Sequence, residues 1–268
     1  MATTTSRDYA RLVTVTIAEI ACLVGSAIGS GVFGPPQVAE AAGGALSADA
    51  TMLAPASQAF SIWSVIYLGL ALYTIWQWLP AQRAAERHRQ VGWWIAASMV
   101  LNAAWLLVVR QGWLWMSVLV IVVLVLVLGH VVRTLAQKPR ASTESVVDVV
   151  VTDATMGLYT GWVSVAVCAN IAATLVDSGV DPGAPWPDVW AITVLVAVGL
   201  VGVVLALVTR ANIAIAVALA WGLSWIAVGR LNGEPESIVT AVTAIVVAFV
   251  LIAFTGAIQA RGKGTVNP

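Results

Sequence analysis

The chain has 268 residues, 60% of them hydrophobic and 10% charged, and its thirteen basic and thirteen acidic side chains cancel. A mean hydropathy of +0.93 is more apolar surface than a soluble core of this size can hide, which excludes a soluble domain. Zero net charge with no concentrated basic face excludes nucleic acid as a partner.

A helix crosses a hydrocarbon core of ~30 Å with about 20 apolar residues. Eight windows of that kind follow one another, over roughly 10–31, 57–79, 91–110, 113–135, 155–176, 188–208, 211–229 and 237–259. The runs are continuous, unlike the alternating segments of barrel strands, so the expected fold class is an all-α polytopic transmembrane bundle. The first run is too long for a signal-peptide core and leaves through AIGSGVFGPP without a cleavage context, so it reads as a retained helix.

Glu19 lies mid-depth in that first helix, where a charged carboxylate costs roughly 3 kcal/mol and an ionisable group marks a functional site by default. It reads either as a proton relay or ligand contact, or as a residue close enough to the cytoplasmic face to reach water. Further along, Ala21, Gly25 and Gly29 recur at spacing four, a stripe that lets helix backbones approach. The second helix, between Pro55 and Pro80, carries Trp63, Tyr67, Tyr73, Trp76 and Trp78. Lipid-facing helices confine rings to their ends, so rings along the whole length predict a lined interior.

In the third helix Asn102 and Trp105, three apart, share a face. The fourth is almost pure Val and Leu, and like the sixth and eighth it reads as lipid-facing. The fifth sets Tyr159, Trp162, Ala166 and Asn170 at intervals of three, four and four, one continuous stripe. An amide at this depth needs a hydrogen-bond partner, which bare packing would not require. Both readings of these side chains stay open, because mid-depth Trp and Asn also serve as interhelical packing and glue. Asp148 and Asp153 precede the fifth helix, where negative charge suits the helix dipole. Trp113, Trp115, Trp186 and Trp190 fall at span boundaries as interface anchors. The third and seventh helices echo each other, with Trp105 five before Arg110 and Trp225 five before Arg230, a match too short to establish a repeat.

Basic loops stay cytoplasmic. With both termini inside, Arg7, Arg11, Arg83, Arg87, Arg89, Arg133, Lys138, Arg140, Arg210, Arg261 and Lys263 are all cytoplasmic, leaving Arg110 and Arg230 outside. The loops over 31–56 and 177–188, acidic without basic residues, are then external. Cys22 and Cys168 at membrane depth give no disulfide framework, and His88 and His130 are too far apart for a metal motif, so no metal is expected. The only lysines lie in cytoplasmic segments, which rules out retinal attachment. No phosphate loop or nucleophile triad is present, so no enzymatic activity and no required cofactor are expected.

At the third and fifth helices the chain resembles the tryptophan-rich sensory proteins, also called the translocator protein or peripheral benzodiazepine receptor family. The matching residues are Leu101, Asn102 and Trp105, then Tyr159, Trp162, Ala166 and Asn170, with Pro55, Phe60, Trp63 and Tyr67 resembling the opening of its second helix. The likeness covers residues 10 to 177. It departs where Phe60 precedes Trp63 by three positions instead of four, and where Ser57 stands near an expected Trp. No Lys or Arg occurs between Arg140 and Arg210, so the cholesterol-recognition pattern of some relatives is absent.

The resemblance implies a five-helix bundle over 1–180, with 181–268 adding three helices that the common five-helix members lack. It also implies a pocket, sometimes in a homodimer, for porphyrin, haem or other planar lipophilic ligands, used for sensing or transport. Phe60, Trp63, Tyr67, Asn102, Trp105, Tyr159, Trp162, Ala166 and Asn170 are the ligand-binding candidates, with Asn102 and Asn170 suited to a propionate or pyrrole edge. The rival expectation is a proton-coupled small-solute transporter centred on Glu19. Either would sit in the plasma membrane among membrane lipids.

Overall fold

The computed structural model describes residues 3–31, 34, 38–137, 146–180, 183 and 186–264, with side chains as far as residue 261. Among them all regular structure is helical, and eight helices are long and apolar enough to cross a membrane. They are α1 (Ser6–Gly29), α2 (Ile62–Trp76, entered through a tight turn over Ser57–Ser61), α3 (Glu86–Arg110), α4 (Leu114–Gln137), α5 (Val146–Asp177), α6 (Trp186–Val208), α7 (Ile213–Asn232) and α8 (Ile238–Gly264). The expected all-α polytopic bundle is the observed fold. Lys138 and Arg140 lie outside the described residues, and Lys263 is described in its backbone alone.

Local chemistry sets the helix ends. Thr5 caps α1 in a reciprocal capping box with Asp8, and the Asn212 side chain caps α7 by accepting from the Ala214 amide. Gly112, at φ +73°, makes the sharp reversal between α3 and α4 that a Cβ would strain. The helices pack in a row, α1 on α3, α3 on α4, α4 on α5, α5 on α7, α7 on α8 and α8 on α6, while α2 lies across α1 and α5.

Small residues decide the tightest contacts. Gly25 and Gly29 of α1 face Ala103 and Leu106 of α3 so closely that an added Cβ would come within 2.8 Å of either. Two members of the α1 stripe therefore pack as expected, whereas Ala21 is exposed. Between α5 and α7, Gly157 meets Ala214 and Asn212, Gly161 lies on the Ile215 carbonyl and Ala218, and Gly222 receives Val165.

Burial follows the row. The apolar windows of α4, α6 and α8 are 33%, 28% and 33% buried, as lipid-facing helices should be, and those of α3 and α5 are 56% buried. That of α2, whose rings predicted an interior helix, is only 33% buried because one of its faces is left uncovered. At 61%, α7 is the most buried of all, and its central place was not read from the sequence. Trp113, Trp115, Trp186 and Trp190 are exposed near helix ends, as interface anchors would be.

At the arginine-rich end the charges are internalised. Arg87 pairs with Asp148 at 2.8 Å and also with Asp153, and Arg89 grips both carboxylate oxygens of Asp8 at 2.8 and 2.7 Å. Arg11, expected in a cytoplasmic segment, is buried and donates to the Arg83 carbonyl at 2.7 Å. Helix α5 starts earlier than the apolar run because its polar first turns belong to it, and Val149–Ala154 is a π-helical stretch. Residues five apart diverge in an α-helix but come together in a π turn. That is how Asp148 and Asp153 reach one guanidinium.

Replacing Gly161 by Val forces a side chain into the Ile215 backbone. The expected cost is about 1–3 kcal/mol of overpacking, read as a lowered thermal midpoint in detergent, with a much smaller change for Gly129→Val, where nothing lies within 4 Å.

Candidate functional site

Beneath the loop over residues 38–56, which folds back over one end of the bundle, lies a cavity of about 40 Å³. Its roof and one wall come from Val38, Ala45, Leu46, Ser47, Thr51, Ala54 and Pro55, and its floor from Phe60, Trp105, Trp162, Val165, Ala166, Ala169, Asn170 and Ala173. A second void of about 10 Å³ adjoins it deeper in the bundle, between Phe60, Trp63, Asn102, Trp105, Ile121, Leu124, Trp162, Val163 and Ala166. Of the nine ligand-binding candidates, Phe60, Trp63, Asn102, Trp105, Trp162, Ala166 and Asn170 thus line one or both of two adjoining apolar voids, which share Phe60, Trp105, Trp162 and Ala166.

Tyr67 and Tyr159 sit one layer behind. Tyr67 stacks on Trp63 with ring centroids 5.2 Å apart and planes 17° from parallel. Tyr159 meets Trp63 edge-on at 5.8 Å, and Trp162 meets both Trp63 and Phe60 edge-on, at 6.3 and 5.6 Å. In this conformation the rings pack against one another, an arrangement worth roughly 0.5–1.5 kcal/mol per pair beyond area burial.

The polar groups divide into those already bonded and those left over. Asn170 is fully engaged: its Oδ1 accepts from Trp105 Nε1 at 2.7 Å, and its Nδ2 donates to Ser117 Oγ at 2.9 Å. The Tyr159 hydroxyl donates to the Ser98 carbonyl at 3.1 Å. Asn102 donates to the Tyr67 hydroxyl at 3.0 Å and reaches Cys22 Sγ at 3.5 Å, but its Oδ1 has no partner. Trp162 Nε1–H, equally buried, has none either. One acceptor and one donor are therefore left unbonded on two of the residues that line the inner void, whereas the sequence had paired Asn102 with Asn170 for that role.

Glu19 is not part of the cavity wall. It lies in the α1 interior, 4% exposed, with neither carboxylate oxygen hydrogen-bonded, and close enough to Cys22, Tyr67 and Tyr159 to interact with them electrostatically. Burial of this kind rules out the reading in which it simply reaches water at the surface.

Sequence reasoning missed the contribution of α7 and of the loop. Trp221 Nε1 donates to the Ala59 carbonyl at 2.9 Å, and the Ala56 amide donates to the Trp225 carbonyl at 3.0 Å, so α7 seats the start of α2. The signal was present in Ala214, Ala218 and Gly222 at spacing four, the same kind of stripe that was noticed in α1. Among the described residues no group of three His, Cys, Asp or Glu side chains is placed to hold a metal ion.

The fold and cavity define a multi-pass helical membrane protein with a ring-walled hollow closed by a loop. The sequence profile of TSPO-like proteins matches residues 13–256, and the chain belongs to that family. The match runs through α6 and α7 and most of α8, beyond the five helices that carry the resemblance. Neither the curated proteins nor the solved structures contain a match to the chain.

Asn170→Leu strips Trp105 Nε1 and Ser117 Oγ of a shared partner while keeping volume. A loss of about 1–2 kcal/mol is expected, chiefly for the Trp105 Nε1 donor left unbonded, since Ser117 Oγ keeps its bond to the Leu114 carbonyl. Thermal unfolding in detergent would read it, together with an altered tryptophan emission maximum.

Proposed function

We propose that the hollow between α2, α3 and α5 binds a planar lipophilic ligand of the tetrapyrrole type, porphyrin or haem, for sensing it or moving it through the membrane. The observation that supports this reading is the convergence of Phe60, Trp63, Trp105 and Trp162 on two adjoining apolar voids, with Asn102 Oδ1 and Trp162 Nε1 buried and unbonded in their walls. Flat rings stack on such walls, and a pyrrole N–H or a ring carboxyl supplies the complementary hydrogen bonds. Small-molecule pockets run to about 300–1,000 Å³, so a cavity of about 40 Å³ is the closed form. Binding requires the loop to lift and the edge-on ring contacts to part. We place both termini on the cytoplasmic side of the plasma membrane, with the loop outside, on the distribution of Lys and Arg; a homodimer is compatible with this arrangement.

Titration with protoporphyrin tests it. Trp162→Ala and Asn102→Ala should each weaken the shift of the porphyrin absorption band by roughly tenfold in affinity, about 1.4 kcal/mol, whereas the boundary residue variant Trp190→Ala should leave it unchanged. Titrations identical in all three would overturn the reading.

A second reading rests on separate observations. Besides Glu19, the buried residues Arg11, Tyr73, Gln77 and His88 toward the arginine-rich end each keep a polar atom without a partner. Buried polar groups at this density call for water, and a hydrated path ending at a buried carboxyl is suited to proton coupling. Protoporphyrin accumulation by vesicles under an imposed pH gradient should then fall to background in Glu19→Gln with equilibrium binding intact. Accumulation indifferent to the gradient would remove this alternative.

A further inference from the structure

We propose that Arg230 is the latch of the loop over the cavity, and that α7 thereby sets how far the cavity opens and how large a ligand it admits. The loop supplies Ala45, Leu46, Ser47, Thr51 and Ala54 to the cavity wall, so its position fixes the free volume. Arg230, at the end of α7, is completely buried. Its Nη1 donates to the Thr51 carbonyl at 2.9 Å, and its Nη2 donates to the carbonyls of Ala48 at 2.8 Å and Glu234 at 3.0 Å. One planar fork thus grips two loop carbonyls three residues apart, a geometry that an ammonium cannot reproduce.

The grip depends on the loop's backbone conformation, since each hydrogen bond from Arg230 to the loop ends on a main-chain carbonyl. Beside it, Gly229 brings α7 up to the loop, where even an added Cβ would stand in van der Waals contact, 3.4 Å from both the Ala54 carbonyl and the Ala56 amide. The Ala56 amide bonds the Trp225 carbonyl at 3.0 Å and closes the other edge. Lifting the loop means breaking bonds to a guanidinium that is completely buried, so opening is rare while the latch holds.

The inference about ligand size rests on the proposed function; the inference about access does not, and the experiment separates them. Ala173 lines the cavity and is buried, so Ala173→Cys, in a background with Cys22→Ala and Cys168→Ala, reports opening through its rate of labelling by a bulky maleimide. Labelling should be slow with Arg230 intact and faster on the order of tenfold in Arg230→Met, the factor one charge-assisted hydrogen bond is worth. Arg230→Lys should fall between the two. Equal rates in all three would overturn the latch. Should Arg230→Met fail to fold, deuterium uptake in Arg230→Lys decides: faster exchange of the Ala54 and Ala56 amides than in the unaltered protein supports the latch, and equal exchange removes it. Protoporphyrin association should accelerate in parallel with labelling. Faster labelling without porphyrin binding in any variant keeps the latch and discards the tetrapyrrole ligand.

Discussion

The contact between α5 and α7 is the constraint from which the rest of the site follows. It exists because Gly157 and Gly161 leave α5 without side chains on the face where Ala214, Ile215 and Ala218 arrive, and because Gly222 makes room for Val165. In a bilayer the apolar effect does not drive helices together, so close van der Waals approach of this kind must do so. Once α7 is seated, its tryptophans meet the start of α2 and its last turn meets the loop. The cavity is thus floored by α5, walled by α2 and α3, and covered by a loop whose support comes from a helix far along the chain.

Inside that frame the polar groups are divided between structure and opportunity. Asn170, Ser117, Trp105 and Thr174 form a closed set in which donors and acceptors find each other, and such a set fixes α3, α4 and α5 relative to one another. Asn102, Trp162 and Glu19 retain buried atoms with no partner, each costing about 1–3 kcal/mol if nothing satisfies it. Unbonded groups at this depth are where a ligand or water gains most, because it finds hydrogen bonds that the protein has not used. The two asparagines, alike in type and depth, therefore differ in role: Asn170 holds helices, and Asn102 remains able to bond something else.

Much of this was legible in the sequence. Span length and hydropathy gave the eight helices, and ring and amide spacing placed seven of nine candidate residues around two adjoining voids, because a stripe at intervals of three and four must share a helix face. The beginning of α5 was not legible: Asp148 and Asp153 look like surface charges until Arg87, 61 and 66 residues away, neutralises them. Nor could the sequence divide the duties of Asn102 and Asn170, since that depends on Ser117 arriving from α4. The burial of α7 was missed because alanine and glycine read as mildly apolar whether they face lipid or another helix, and only the spacing of Ala214, Ala218 and Gly222 distinguishes the two cases.

The faint echo between α3 and α7 acquires a physical meaning in the structure. Arg110, five residues after Trp105, donates to the carbonyls of Ile28 and Gly34 at 2.9 and 3.2 Å, and Arg230, five after Trp225, donates to those of Ala48 and Thr51. Both arginines end a helix on the same side of the bundle and both hold the segment between α1 and α2, one near its beginning and one near its end. A guanidinium can bond several main-chain carbonyls at once, and at a helix C-terminus its charge also meets the negative end of the dipole. The same residue type at the same spacing therefore serves one purpose twice, and the similarity needs no duplicated helix pair to account for it.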